Sequence, residues 1–187
     1  MAKIPDRSLY RKLQIVIEEA GKGRISRPEG LVETLIKSNP ICFTYYRVEG
    51  DHPAKPVPCN RETYKHAVTL AIQLGLIDEH TGQVTKAGIK AINRDQFSAI
   101  LRQRIKVVLN SKGLSFESLL EVIQGILSNT KSGTISSWDN IYDQLSKLYG
   151  EKMAIDRKDF HTFLTLISHA DGIAVSQKRI YLPYIPE

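Results

Sequence analysis

The residues best equipped for chemistry in this chain are two runs of polar donors carried on amphipathic segments. Between Asn60 and Gly75, Tyr64, Ala67, Val68, Ala71 and Leu74 recur at helical spacing, which turns Arg61, Glu62, Lys65, His66, Thr69 and Gln73 to the opposite side. Arginine bonds guanine bidentately, glutamine bonds adenine, and lysine or threonine holds phosphate or base edges. Arg61, Lys65, Thr69 and Gln73 therefore form a candidate face for a major groove. From Asp156 onward, Phe160, Phe163, Leu164 and Ile167 take the buried side and leave Arg157, Lys158, His161, Thr162 and Thr165 outward. Asp156 and Asp159 suit the start of that helix but stand where phosphates would approach. Lys178 and Arg179, at the tip of a C-terminal hairpin, have the charge that a phosphate contact needs.

Other chemistries find little in the sequence. His52, His66, His80, His161 and His169 show no HExxH spacing and no companion cluster of cysteines or acids. Gly21-Lys22-Gly23-Arg24 is a basic loop without the strand, loop and helix order of a nucleotide site. The expectation is a protein that is not an enzyme and uses no cofactor or metal. Lys and Arg outnumber Asp and Glu by 26 to 20, a net charge of +6 that favours an anionic partner. Cys42 and Cys59 are too few for a disulfide framework and too far apart for a paired-cysteine zinc site, which fits a reducing, cytoplasmic setting. No run approaches the roughly 20 apolar residues needed to cross a bilayer, and the start lacks the apolar core of a signal peptide, so no membrane association is expected.

Short elements must position these residues. Leu9, Leu13, Val16, Ile17 and Ala20 form the stripe of a first helix capped by Ser8 and stopped by Gly21; Pro28 opens a second, carrying Leu31, Leu35 and Ile36. Residues 41–48 read as a strand, with Phe43, Tyr45 and Tyr46 exposed, followed by a loop (residues 53–58) holding Pro53, Pro56 and Pro58. After the Asn60 helix, residues 76–78 and 83–85 flank a turn in the pattern of a hairpin. Helices follow over 86–92 and 97–109, the latter carrying Arg102, Arg104 and Lys106 as a basic stretch. Three more are expected near 115–127, 138–149 and 157–169, and a closing hairpin joins 173–175 to 180–182.

Sliding the chain on itself by 96 positions lays Asn60 over Asp156, Arg61 over Arg157, Tyr64 over Phe160, Val68 over Leu164, Thr69 over Thr165, Leu70 over Leu166 and Ile77 over Ile173. The match stops upstream, where a strand and proline loop precede Asn60 but helix precedes Asp156. The run Leu74-Gly75-Leu76-Ile77-Asp78, continued by Gln83-Val84-Thr85-Lys86-Ala87-Gly88, resembles the end of a winged-helix domain. The resemblance implies a mainly α fold with small β-hairpins (α+β), built as two tandem winged-helix domains, residues 1–95 and 114–187, joined by a helical connector, residues 96–113. It further implies a third helix in the major groove and a wing near phosphates, hence binding of double-stranded DNA as a transcriptional regulator or as the DNA-targeting component of a larger assembly. The alternative is a protein-protein interaction scaffold that uses the same domains without nucleic acid, docking through the loop 53–58 and the aromatic residues before it. A homodimer is compatible with either.

Overall fold

Local signals at the helix ends are realised in the computed structural model, which describes residues 8–23, 25–47, 55–129, 136–171, 174–176 and 179–181. Ser8 caps α1 (Leu9–Ala20) by accepting the backbone N–H of Arg11. Pro28 opens α2 (Pro28–Ser38), where its missing N–H costs no helical bond, and Asn39 ends it in the left-handed conformation at φ 40°. Asn60 caps α3 (Arg61–Gln73), and Thr85 caps α4 (Lys86–Ile92). The remaining helices are α5 (Arg94–Ser111), α6 (Phe116–Asn129), α7 (Trp138–Tyr149) and α8 (Arg157–Asp171). The chain is thus mainly helical with small antiparallel β elements, a shape compatible with the winged-helix plan. It divides into two compact units, Met1–Ile100 and Leu101–Glu187, with the boundary inside α5.

In the first unit α1, α2 and α3 pack on one another, and α4 packs on α1. Leu13, Val16, Ile17, Leu31, Leu35, Tyr64, Ala67, Val68, Ala71 and Leu74 are buried there, so the expected stripe of α3 is the observed one. Phe43 corrects an expectation: it is fully buried, because its ring stacks on Tyr64 at 4.4 Å between centroids and 9° between planes. Tyr64 donates its hydroxyl to Asn39 Oδ1 at 3.1 Å, tying α3 to the end of α2, and burial pushes the phenol pKa up.

The segment after α2 also differs from the expected strand and loop. Residues Ile41–Phe43 form a 3-10 turn before β1 (Thr44–Arg47), and most of the expected proline loop is a strand, β2 (Lys55–Pro58), paired antiparallel with β1. Two prolines fit that strand because of register. Cys59 N–H donates to Phe43 O, and the paired positions alternate, so Tyr45 opposite Val57 shares that bonded phase, whereas Pro56 and Pro58 occupy the other. Their missing N–H groups cost the ladder nothing. Pro53 lies outside the described residues. The expected hairpin over 76–85 is reduced to one bridge between Ile77 and Val84, flanked by Asp78 N–H to Gln83 O and Thr85 N–H to Leu76 O.

The second unit carries α6, then β3 (Ser136–Ser137), α7, α8, β4 (Ala174–Ser176) and β5 (Arg179–Tyr181). The sheet order is β3-β5-β4, all antiparallel, with Val175 opposite Ile180, Ser176 opposite Arg179, and Ser137 also opposite Arg179. The closing hairpin was foreseen; β3 was not. Phe160, Phe163, Leu164 and Ile167 on α8 are buried as expected, with Ile141 and Leu145 of α7 and Phe116, Leu119 and Ile123 of α6. Residues 96–113, the expected connector, fall in α5 and the turn after it. Phe97 is buried edge-on to Tyr10 at 4.6 Å in the first unit, while Arg102 lies over the Phe116 ring at 5.6 Å in the second. Among the described residues no helix is long and apolar enough to cross a membrane.

At the 96-residue offset the starts of two helices agree. Helices α3 and α8 begin at Arg61 and Arg157, and Asn60 and Asp156 each accept the N–H three residues on, at 3.0 and 2.7 Å. Tyr64 and Phe160, four residues past the caps, are both 1% exposed. Ile173 lies outside the described residues.

Candidate nucleic-acid interface

In the first unit the helical period delivers the expected face, since Arg61, Lys65, Thr69 and Gln73 are all exposed on α3, with Glu62 and His66 beside them. Arg61 is engaged by Glu33 of α2. Arg61, Lys65 and Thr69 line a groove of about 390 Å³ between α2, α3 and the turn after α3. Glu29, Glu62 and Glu79 line the same groove. The turn that brings Glu79 there is held by Asp78, whose Oδ1 accepts the N–H groups of His80 and Thr81 at 3.0 and 2.8 Å and the Thr81 hydroxyl at 2.9 Å. Those bonds, the Thr81 N–H first, hold the Asp78 carboxyl below the ordinary aspartate range. Gly82 completes the turn at φ +68°, and a Cβ on it would lie 2.7 Å from the Arg27 carbonyl carbon. Only glycine lets the turn press so closely on the start of α2.

In the second unit Arg157 and Lys158 are exposed, but His161, Thr162 and Thr165 are half-buried, which corrects their expected outward placement. The two threonines donate their hydroxyls back into their own helix, Thr162 to Lys158 O at 3.1 Å and Thr165 to His161 O at 2.9 Å. Arg157 reaches across to α7, donating to Asp139 at 2.8 Å and Asp143 at 2.7 Å, with its guanidinium over the Tyr142 ring at 4.7 Å. The carboxylates push its pKa further up, Asp139 contributing most. His161 Nε2 lies 3.5 Å from Asp139 Oδ1. Two bonds leave guanidinium donors in reserve, because an arginine carries five. Arg157 is therefore a cation held in one orientation, with capacity for a further acceptor.

The sequence pattern did not expose these partners, although Asp139 and Asp143 stand four apart and so share a face of α7. Lys178 lies outside the described residues. Arg179 is placed by register at the end of the β4 and β5 pairing. Two residues of the basic stretch on α5 are engaged within the second unit. Lys106 pairs with Glu117, whose carboxyl is held below its ordinary range chiefly by that bond, and Arg102 covers Phe116. Comparison of the chain with protein-family models, with curated proteins and with solved structures finds no match.

Proposed function

We propose that the chain binds double-stranded DNA as a tandem winged-helix protein, serving as a transcriptional regulator or as the DNA-targeting component of a larger assembly. The observation that carries this reading is the connectivity of the second unit. From α6 onward helix, strand, helix, helix and hairpin follow in order, and β3 pairs with β5; read on the winged-helix plan, α8 is the third helix counted from α6 and β4 with β5 is the wing. In that plan α8 enters the major groove, and the hairpin that carries Arg179 meets phosphates. Arg157 and Lys158 at the start of α8 bring charge to the groove edge, where the N-terminal residues of a recognition helix make their contacts. Asp139 and Asp143 oppose the phosphates electrostatically, yet they also orient Arg157. In this reading the duplex is held by the second unit, because in the first Arg61, Lys65 and Thr69 share their groove with Glu29, Glu62 and Glu79.

The test is affinity for a mixed-sequence duplex measured by fluorescence anisotropy across rising salt. Each phosphate contact contributes a slope of about −0.9 in log affinity against log salt. Neutralising Arg157, Lys158, Lys178 and Arg179 together to glutamine is expected to flatten the slope by up to about 3 to 4. A parent protein indifferent to salt, or a quadruple variant that binds as the parent does, would overturn the assignment.

A further inference from the structure

The groove on the first unit suits a different ligand from the duplex. Its floor is apolar, formed by Val32, Val68 and Ile72, and its rim carries Glu29, Glu62 and Glu79 against Lys65 and Arg61. The lining carboxylates exceed the lining cations by one, and Glu33, outside the groove, engages Arg61. Glu29 and Glu62 also complement the positive ends of α2 and α3, whose first turns they occupy. Glu79 sits on the turn that Asp78 and Gly82 lock against the start of α2, with His80 Nε2 3.4 Å from its carboxylate. Phosphates approaching this rim meet repulsion, and cations meet attraction. The volume of about 390 Å³ admits a few side chains, and the walls are preformed, which lowers the ordering cost of binding.

We propose that the groove between α2 and α3 docks a basic segment of a partner protein, seating an apolar side chain on Val32, Val68 and Ile72 while Lys or Arg on either side meets Glu29, Glu62 and Glu79. The occupant is fixed by charge complementarity with the rim and by the apolar floor between the acids. A partner held here and a duplex held by the second unit describe an adaptor, but the docking does not rest on duplex binding.

The experiment is an NMR titration of the isotope-labelled full chain with a synthetic 14-residue peptide carrying leucines at helical spacing flanked by Lys and Arg. Its controls are the same peptide with Glu in place of each Lys and Arg, and a short DNA duplex. The expected result is saturable shifts at the Thr69, Ile72 and Glu79 amides with the basic peptide alone. The triple variant Glu29→Gln, Glu62→Gln, Glu79→Gln, altered only at exposed positions, is expected to weaken that binding about tenfold, in line with partly exposed charge pairs at an interface. Asp139→Asn, in the second unit, is expected to leave it unchanged. The proposal is overturned by the absence of shifts with the basic peptide, by equal binding of the acidic peptide, or by undiminished binding to the triple variant. It is also overturned if the duplex moves these amides in the parent protein, which would make the groove a nucleic-acid face.

Discussion

The carbonyl oxygen of Leu76 occupies the space that a side chain on Gly88 would need, since a Cβ there would lie 2.1 Å from it. The contact joins the bridge after α3 to α4, and Thr85 reinforces the joint by donating its hydroxyl to Gly75 O at 2.7 Å and accepting from Gly88 N–H at 3.1 Å. Gly88→Ala gains about 1 kcal/mol in helix propensity but forces backbone apart. A net loss of about 2 kcal/mol is expected in urea unfolding. Unchanged or improved stability would mean that α4 moves away from Leu76 without cost.

Helix capping has a matched pair of tests at the two ends of the 96-residue offset. Asn60→Ala removes the acceptor for Thr63 N–H and the Thr63 hydroxyl, and Asp156→Ala removes the acceptor for Asp159 N–H. Each is expected to cost about 1 kcal/mol of unfolding free energy. A loss at one site only would show that the two helix starts, alike in geometry, differ in energetic weight.

Asp78 predicts a pH dependence of definite sign. Its carboxyl binds protons less readily folded than unfolded, because two N–H groups and a hydroxyl donate to it. The stabilisation it contributes is therefore complete above the unfolded value of about 3.9 and is lost as the pH falls through the lower folded value. Titration of the Asp78 carboxyl carbon by NMR should give a midpoint below the ordinary aspartate range, and Asp78→Ala should flatten the acid limb of the stability profile. A midpoint at the ordinary value would remove the turn from the account of acid sensitivity.

Arg157 yields a test whose direction opposes the usual effect of mutation. Converting Asp139 and Asp143 together to Asn removes two negative charges beside α8 and releases the guanidinium from its carboxylate bonds. If α8 faces DNA, duplex affinity at low salt rises several-fold, and the gain shrinks as salt increases. A fall in affinity would mean instead that the carboxylates serve mainly to aim Arg157.

Helix starts and stops, and the buried stripes between them, were legible in the residues themselves. Ser8, Pro28, Asn60 and Asp156 act within one helical turn, so their effect is local and reads directly from the chain. Tyr64, Ala67, Val68, Ala71 and Leu74 announce their face through the helical period alone, which also settles the exposure of Arg61, Lys65, Thr69 and Gln73. Tertiary structure decided what lies far apart in sequence. Ser136 and Ser137 are two residues without strand character, made a strand by pairing with β5 more than forty positions on. Residues 55–58 look like a loop until the register with β1 shows that neither proline need donate. The charge environment of both candidate faces came from elsewhere too, from Glu33 and Glu79 beside α3 and from Asp139 and Asp143 beside α8. Periodicity states which side a residue faces, but Coulomb interactions depend on distance in space, and only the packed chain sets those distances.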